Sequence, residues 1–214
     1  MDELRYTLLS DGSADQALMP ILTWLLREQG IYGAIQPEWA DLRRLPRPPR
    51  TLSERISSSL DLYPCDVLFV HRDSEGVLPL VRTTEIQQAL ATAAQRAQLP
   101  PTVCVVPVRM QEAWLLFNET AIRCAAGNPN GPVPLALPPL KTLAQLPDAK
   151  DVLYDALREA SGLTGRRRKK FPVHTRVRRV TEFIDDFSPL RILGAFCQLE
   201  ADVSQVVNAH GWNQ

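Results

Sequence analysis

The chain has 214 residues, 45% hydrophobic and 22% charged, with 24 basic side chains balanced by 24 acidic ones. This fits one globular domain, or one domain with a helical appendage, and is long enough to bury a core. A net charge of zero removes any whole-molecule attraction to nucleic acid or an anionic membrane, so such a partner must be met by local clusters.

Leu4 to Ser10 is a short β-prone run that ends at Asp11-Gly12. Ser13 with Gln16 three residues on has the pattern of a capping box, and Leu18, Ile21, Leu22, Leu25 and Leu26 give the helix an apolar face that stops at Gly30. Pro20 tightens or kinks its early turns. Ile31 to Ile35 reads as a second strand, Leu42 to Arg50 as an exposed proline- and arginine-rich loop, and Ser53 to Leu62 as a helix. Asp66 to His71 is the strongest strand in the chain, and a helix from Thr84 to Gln98 leads into another apolar strand, Val103 to Val108. Strands this apolar, alternating with helices, predict an α/β fold: a small parallel sheet with right-handed crossovers, covered on both faces.

Gln111 to Ala126 reads as helical, 127–140 as a glycine- and proline-rich loop, and Asp148 to Ser161, Val177 to Phe187 and Pro189 to Ala209 as three further helices. The division is an α/β domain over 1–140 and a helical C-terminal extension over 141–214, with 127–140 either a loop inside one unit or a boundary. The four cysteines are dispersed and form no C-x-x-C pair, which fits a reducing compartment. No leader pattern opens the chain, and no apolar run nears the roughly 20 residues a membrane span needs. A cytoplasmic location without membrane attachment is the expectation.

In a parallel α/β sheet, ligands sit beyond the carboxyl ends of the strands. Asp11 and Asp15 follow the first strand; His71, Asp73 and Glu75 close the third; Arg109 and Glu112 follow the fourth. Carboxylates from three strand ends repel one another unless a cation or protons intervene, and oxygen ligands in this number suit Mg²⁺ or Mn²⁺. The plainer alternative is that acidic residues follow strands because they cap helices.

Ser10-Asp11-Gly12-Ser13-Ala14-Asp15, His71-Arg72-Asp73, Glu112-Ala113-Trp114-Leu115-Leu116 and Pro147-Asp148-Ala149-Lys150, in this order, resemble a Toprim domain. Toprim is the metal-dependent phosphoryl-transfer fold of topoisomerases, primases and OLD-type nucleases. The chain is most similar to a Toprim-like family of unknown function often encoded beside ATPases in bacterial defence loci. The resemblance covers residues 4 to about 160. It implies a nuclease or related phosphoryl-transfer subunit working with an ATPase partner. It implies Asp11, Asp73 and Glu112 as metal ligands, with Asp15 and His71 as secondary ligands or water-positioning groups. Lys150, or else Arg109, is the implied charge stabiliser. The sequence departs from the family pattern in having Asp for Glu at position 11 and His71 in place of a carboxylate, a change Mn²⁺ accepts better than Mg²⁺. These departures leave a second expectation open, a catalytically degenerate scaffold or binding subunit.

Gly165 to Arg179 carries eight basic residues and no acid. Arg166, Arg167, Arg168, Lys169 and Lys170 are candidates for a nucleic-acid or partner contact, against a solvated loop. Arg43, Arg44, Arg47 and Arg50 form a second basic segment, on the same face or in a mobile loop. Trp24 and Trp114 fall in apolar helical registers and read as core. No Walker A, G-x-G-x-x-G or G-x-S-x-G motif is present, which disfavours the nucleotide sites and hydrolase triads those motifs mark.

Overall fold

The computed structural model describes residues 2–213. β1 (Glu3–Leu9) lies inside a four-stranded, wholly parallel sheet in the order β2-β1-β3-β4. Leu4, Tyr6 and Leu8 point to one face, and Thr7 and Leu9 to the other; all five are buried. The next turn is a 3₁₀ helix, Ser13–Ala17, which runs into α1 (Leu18–Glu28). The N-terminal cap differs from the expected Ser13–Gln16 box: Asp15 closes it, its Oδ2 accepting from Gly12 N–H at 2.8 Å. Pro20 has no N–H to give an α-type bond to the preceding turn, in keeping with the tighter 3₁₀ winding just before it.

β2 (Ala34–Trp39) is displaced from the expected Ile31–Ile35. It pairs only with β1, with Pro37 opposite Tyr6, and as an edge strand it tolerates a residue that cannot donate to the ladder. α2 (Leu52–Leu62) opens on a capping box, Thr51 Oγ1 accepting from Glu54 N–H and Glu54 accepting from Thr51 N–H. β3 (Val67–His71) is buried throughout, between β1 and β4. α3 (Pro79–Ala94) starts earlier than expected, because Pro79 in the first turn is preset for a helix and loses no bond there. β4 (Thr102–Val105) is shorter than expected and ends just ahead of Pro107, which cannot donate to a ladder.

The expected helix over 111–126 is two pieces: a 3₁₀ turn, Gln111–Leu115, and α4 (Glu119–Ala126), capped by Asn118 Oδ1 on Ala121 N–H at 2.9 Å. α5 (Ala149–Ala160) is capped by Asp148, whose Oδ1 accepts from Asp151 N–H. The basic tract forms a helical turn, α6 (Gly165–Lys169), and then α7 (Val173–Val180), which begins and ends before the expected Val177–Phe187 and buries Val173, Val177 and Val180. A 3₁₀ turn over Ser188–Ile192 precedes α8 (Gly194–His210).

The fold is thus α/β, with a helical C-terminal region. One face of the sheet shares a core with α1, α4, α5, α7 and α8, and the other is covered by α2 and α3. Trp114 meets Phe196 at 5.5 Å inside the core, and Trp24, partly buried, packs against that core by meeting Phe187 and Phe196 edge-on or tilted. Each such large apolar side chain contributes about 2 kcal/mol by leaving water. No helix among the described residues is long and apolar enough to cross a membrane. Strand order reverses between β1 and β3, so the loops leaving those two strands diverge and open a crevice at their carboxyl ends.

Candidate active site at the strand ends

A cleft of about 320 Å³ occupies that crevice, and Asp11, Asp15, His71, Asp73, Glu112 and Lys150 all line it. The six residues that the sequence reading singled out as ligands or charge stabiliser therefore meet in one place. They do not meet on equal terms.

Asp73 follows β3. Its Oδ1 accepts from Gln111 N–H at 3.0 Å, and its carbonyl accepts from Arg82 Nε. Asp15 is only 8% exposed, and its second oxygen accepts from Gln111 Nε2 at 2.7 Å. A single residue, Gln111, thus ties together carboxylates carried 58 residues apart in the chain. Gln111 is itself buried, and its Oε1 is a buried side-chain oxygen with no hydrogen-bond partner among the described residues. An orphaned acceptor of this kind costs on the order of 1–3 kcal/mol and calls for a ligand, water or ion.

Burial pushes the Asp73 carboxyl above its ordinary range; His71 and the Gln111 N–H pull it back, while Asp15 and Glu75 add to the rise. Burial likewise raises Glu112, with Asp73 and Asp15 pushing the same way and Lys150 opposing. Lys150 stands in the first turn of α5, with its ammonium 5.8 Å from the Tyr154 ring. His71 is buried at the end of β3. Its Nδ1 lies 2.9 Å from Val105 O and its Nε2 3.5 Å from Asp73 Oδ1. Nδ1–H donates to that carbonyl, which leaves Nε2 turned toward Asp73, the orientation typical of metal-bound histidines.

Asp11 is the exception. Its side chain is 53% exposed and is held by Arg55 Nη1, from outside the cleft, on one oxygen and by Arg72 Nε, a cleft-lining residue, at 3.3 Å on the other. Arg55 Nη2 also donates to Ser10 O, and Arg72 reaches on to Glu85. Arg109 does not line the cleft with its neighbours. It adopts a positive φ of 65°, and its carbonyl accepts from the N–H of Glu75, itself at φ 49°. Two non-glycine residues in the left-handed region, bonded to each other beside the cleft, are backbone strain of the kind that collects at functional sites.

Arg166, Arg167, Arg168, Lys169 and Lys170 are exposed on and just after α6. They lie toward the far end of α5, where Arg168 and Lys169 share a pocket with Arg158, about 12 Å of helix from Lys150. The later part of the tract does approach the cleft: α7 packs on the Ser13–Ala17 turn, and Arg178 donates to Gln16 Oε1 at 2.8 Å. Gln111, Arg55 and Arg178 were not singled out from the sequence as cleft residues, and nothing local marks them, since each acts through a neighbour distant in the chain.

The carboxylates of Asp11, Asp15, Asp73, Glu75 and Glu112 and the His71 ring line the cleft, so oxygen donors outnumber nitrogen there. Among the described residues, no three His, Cys, Asp or Glu side chains are arranged to close on one ion. Such a set suits a cation that keeps water and substrate oxygens in its shell, the usual condition of Mg²⁺. No protein-family model, curated protein or solved structure matches the chain.

Proposed function

We propose that the chain is a Toprim-like, Mg²⁺- or Mn²⁺-dependent phosphoryl-transfer subunit that cleaves nucleic acid. The observation that carries this reading is the convergence of Asp15, Asp73 and Glu112, with one lysine beside them, at the switch point of a parallel sheet. Partnership with an ATPase and a role in bacterial defence rest on the sequence resemblance alone. So does the Toprim-like subdivision of the α/β class.

A bound divalent cation would neutralise charge on the phosphoryl oxygens and lower the pKa of a bound water. Asp73, with Asp15 or His71 beside it, is the group suited to hold it; since no three such side chains among the described residues close on one ion, water and substrate oxygens would fill the rest of the shell. Glu112, whose burial raises its proton affinity, is suited to exchange a proton with an attacking water or a leaving oxygen. Lys150 is placed to offset charge on a phosphate in the cleft.

One observation favours the second reading, a degenerate scaffold: Asp11 is occupied by two arginines. The two readings separate on one experiment. Mn²⁺ and Mg²⁺ binding is measured by calorimetry on wild type and on Asp73→Asn, alongside cleavage of single- and double-stranded oligonucleotides. Metal-dependent cleavage lost in the variant supports the enzyme. Neither metal binding nor cleavage by wild type, with oligonucleotide present, leaves the scaffold.

A further inference from the structure

We propose that a second pocket, on the opposite side of Asp11 from the acidic cleft, is a binding site for a phosphate group. It encloses about 210 Å³ between the end of β1, the end of β2 and the start of α2, and is lined by Ser10, Asp11, Trp39, Arg43, Arg50 and Arg55. That volume is below the roughly 300–1,000 Å³ of pockets that take whole drug-sized ligands, and it suits a small polar group. Three arginines and one carboxylate line the pocket: Arg55 pairs with that carboxylate, Asp11, which is shared with Arg72, and Arg43 pairs with Asp41 outside the lining. The pocket therefore carries a positive excess inside a molecule of zero net charge.

Two of the arginines, Arg43 and Arg55, are placed before any ligand arrives. Arg43 stacks on Trp39, 5.0 Å from the ring centroid, and its Nε pairs with Asp41 at 3.0 Å. Trp39 is held by its own bond from Nε1 to Ser10 Oγ at 2.9 Å. Arg55 is fixed by Asp11 and Ser10 O. Pro48 and Pro49 form a further wall whose backbone has little freedom to lose, and Leu42 anchors the segment in the core. A solvated arginine loop would show none of this fixing. Planar forks held in place are the arrangement that grips a phosphate through paired N–H donors.

Asp11 lines both cavities, so a phosphate in this pocket lies next to the acidic cleft. Its role as the holder of a phosphate neighbouring the one under attack rests on the phosphoryl-transfer reading; the pocket itself does not. The ligand chemistry, a phosphate oxyanion, has two sources: a free phosphate or a nucleic-acid phosphodiester.

The test is a fluorescence titration in metal-free buffer with EDTA, at constant ionic strength, using inorganic phosphate and, separately, a ten-residue oligothymidylate. Trp39→Phe identifies the part of the signal that reports on the pocket. The expected result is a saturable, Trp39-dependent change with at least one probe, weakened tenfold or more in Arg43→Ala/Arg50→Ala. Both side chains are exposed, so the variant should melt as wild type does; if it does not, Arg50→Ala alone serves, with at least a threefold loss expected. Saturation by inorganic phosphate assigns a free phosphate site, and saturation by the oligonucleotide alone assigns the phosphodiester. The proposal is overturned by no saturable change with either probe, by an equal change from chloride, or by variants that bind as wild type does. Binding here without cleavage at the cleft removes the phosphoryl-transfer reading and leaves the pocket standing.

Discussion

Asp11 and Asp73 leave adjacent strands at the same edge of the sheet and line the same cleft, yet their surroundings are opposite. Asp11 is half in water and clasped by two guanidinium groups. Asp73 is mostly withdrawn from water, faces Asp15 and Glu75, and has a histidine nitrogen and one backbone N–H for company. The first is a satisfied surface ion pair and the second an under-neutralised carboxylate. Strand-end position brings a carboxylate to a site, but the charges around it decide whether it is still available to bind anything.

The sharpest way to break this comparison is substitution by the neutral isostere at each position. Asp73→Asn and Glu112→Gln should reduce metal-dependent cleavage by on the order of 100-fold or more, the scale of a lost catalytic proton or charge contact. Both should also raise the melting temperature by roughly 2–4 °C, because they remove repulsion that serves only function. Asp11→Asn should do the reverse in stability, lowering the melting temperature slightly as Arg55 and Arg72 lose a partner. Activity assays and thermal melts on the three variants measure this. Equal behaviour at positions 11 and 73 would abolish the distinction.

The pH dependence of stability follows with its own sign. Asp73 and Glu112 have folded-state pKa values above their unfolded ones, so the folded chain binds protons more tightly than the unfolded chain does. Their contribution to stability is full below the unfolded values, roughly pH 4, and is lost as pH rises through the folded values. Melting temperature should therefore rise as pH falls through the folded-state values toward roughly pH 4, and the rise should flatten in Asp73→Asn/Glu112→Gln. Exposed Asp41, Glu54 and Asp186 are shifted down by their hydrogen bonds, so they work the other way only at more acidic pH.

A smaller effect is expected at Lys150→Met. Removing the ammonium should push Glu112 further up and shift the acidic limb of the pH–rate profile to higher pH, with about a tenfold loss of rate at neutral pH. Smallest of all is Arg167→Ala/Lys169→Ala on α6. If the basic turn meets backbone phosphates, oligonucleotide affinity should fall modestly and the slope of log K against log salt should decrease by about one per contact removed. A profile unmoved by Lys150→Met, or a salt slope unmoved in the double variant, would remove these two residues and the lysine from the site.

What could be read from the sequence follows from how locally each feature is encoded. β3 is legible because a strand buried on both faces must be apolar at every position, as Val67 to Val70 are. β2 is not, because an edge strand with Pro37 inside it and exposed side chains carries neither signal. The convergence of Asp15, His71, Asp73 and Glu112 is legible in kind, since each closes a strand or lies in the loop or turn after one, and parallel strands end together. Its internal hierarchy is not. That depends on Arg55, on a different element from Asp11, and on Gln111, a neutral residue whose amide links to Asp15 across 96 positions. The start of α7 is hidden in the basic tract because charges there outnumber Val173, Val177 and Val180, yet those three valines at helical spacing fix α7 to the core.

The helix after the first strand has a consequence for the order in which the molecule is made. Trp24 is covered by Phe187 and Phe196, and Glu28 is held by Arg191, 163 positions later. At roughly 5–20 residues per second of synthesis, that cover arrives on the order of ten seconds or more after α1 leaves the ribosome. Throughout that interval Trp24 lacks the two aromatic rings that pack on it. Chains that stall before residue 180 would carry the cleft's carboxylates but not the packing that keeps the first helix in place.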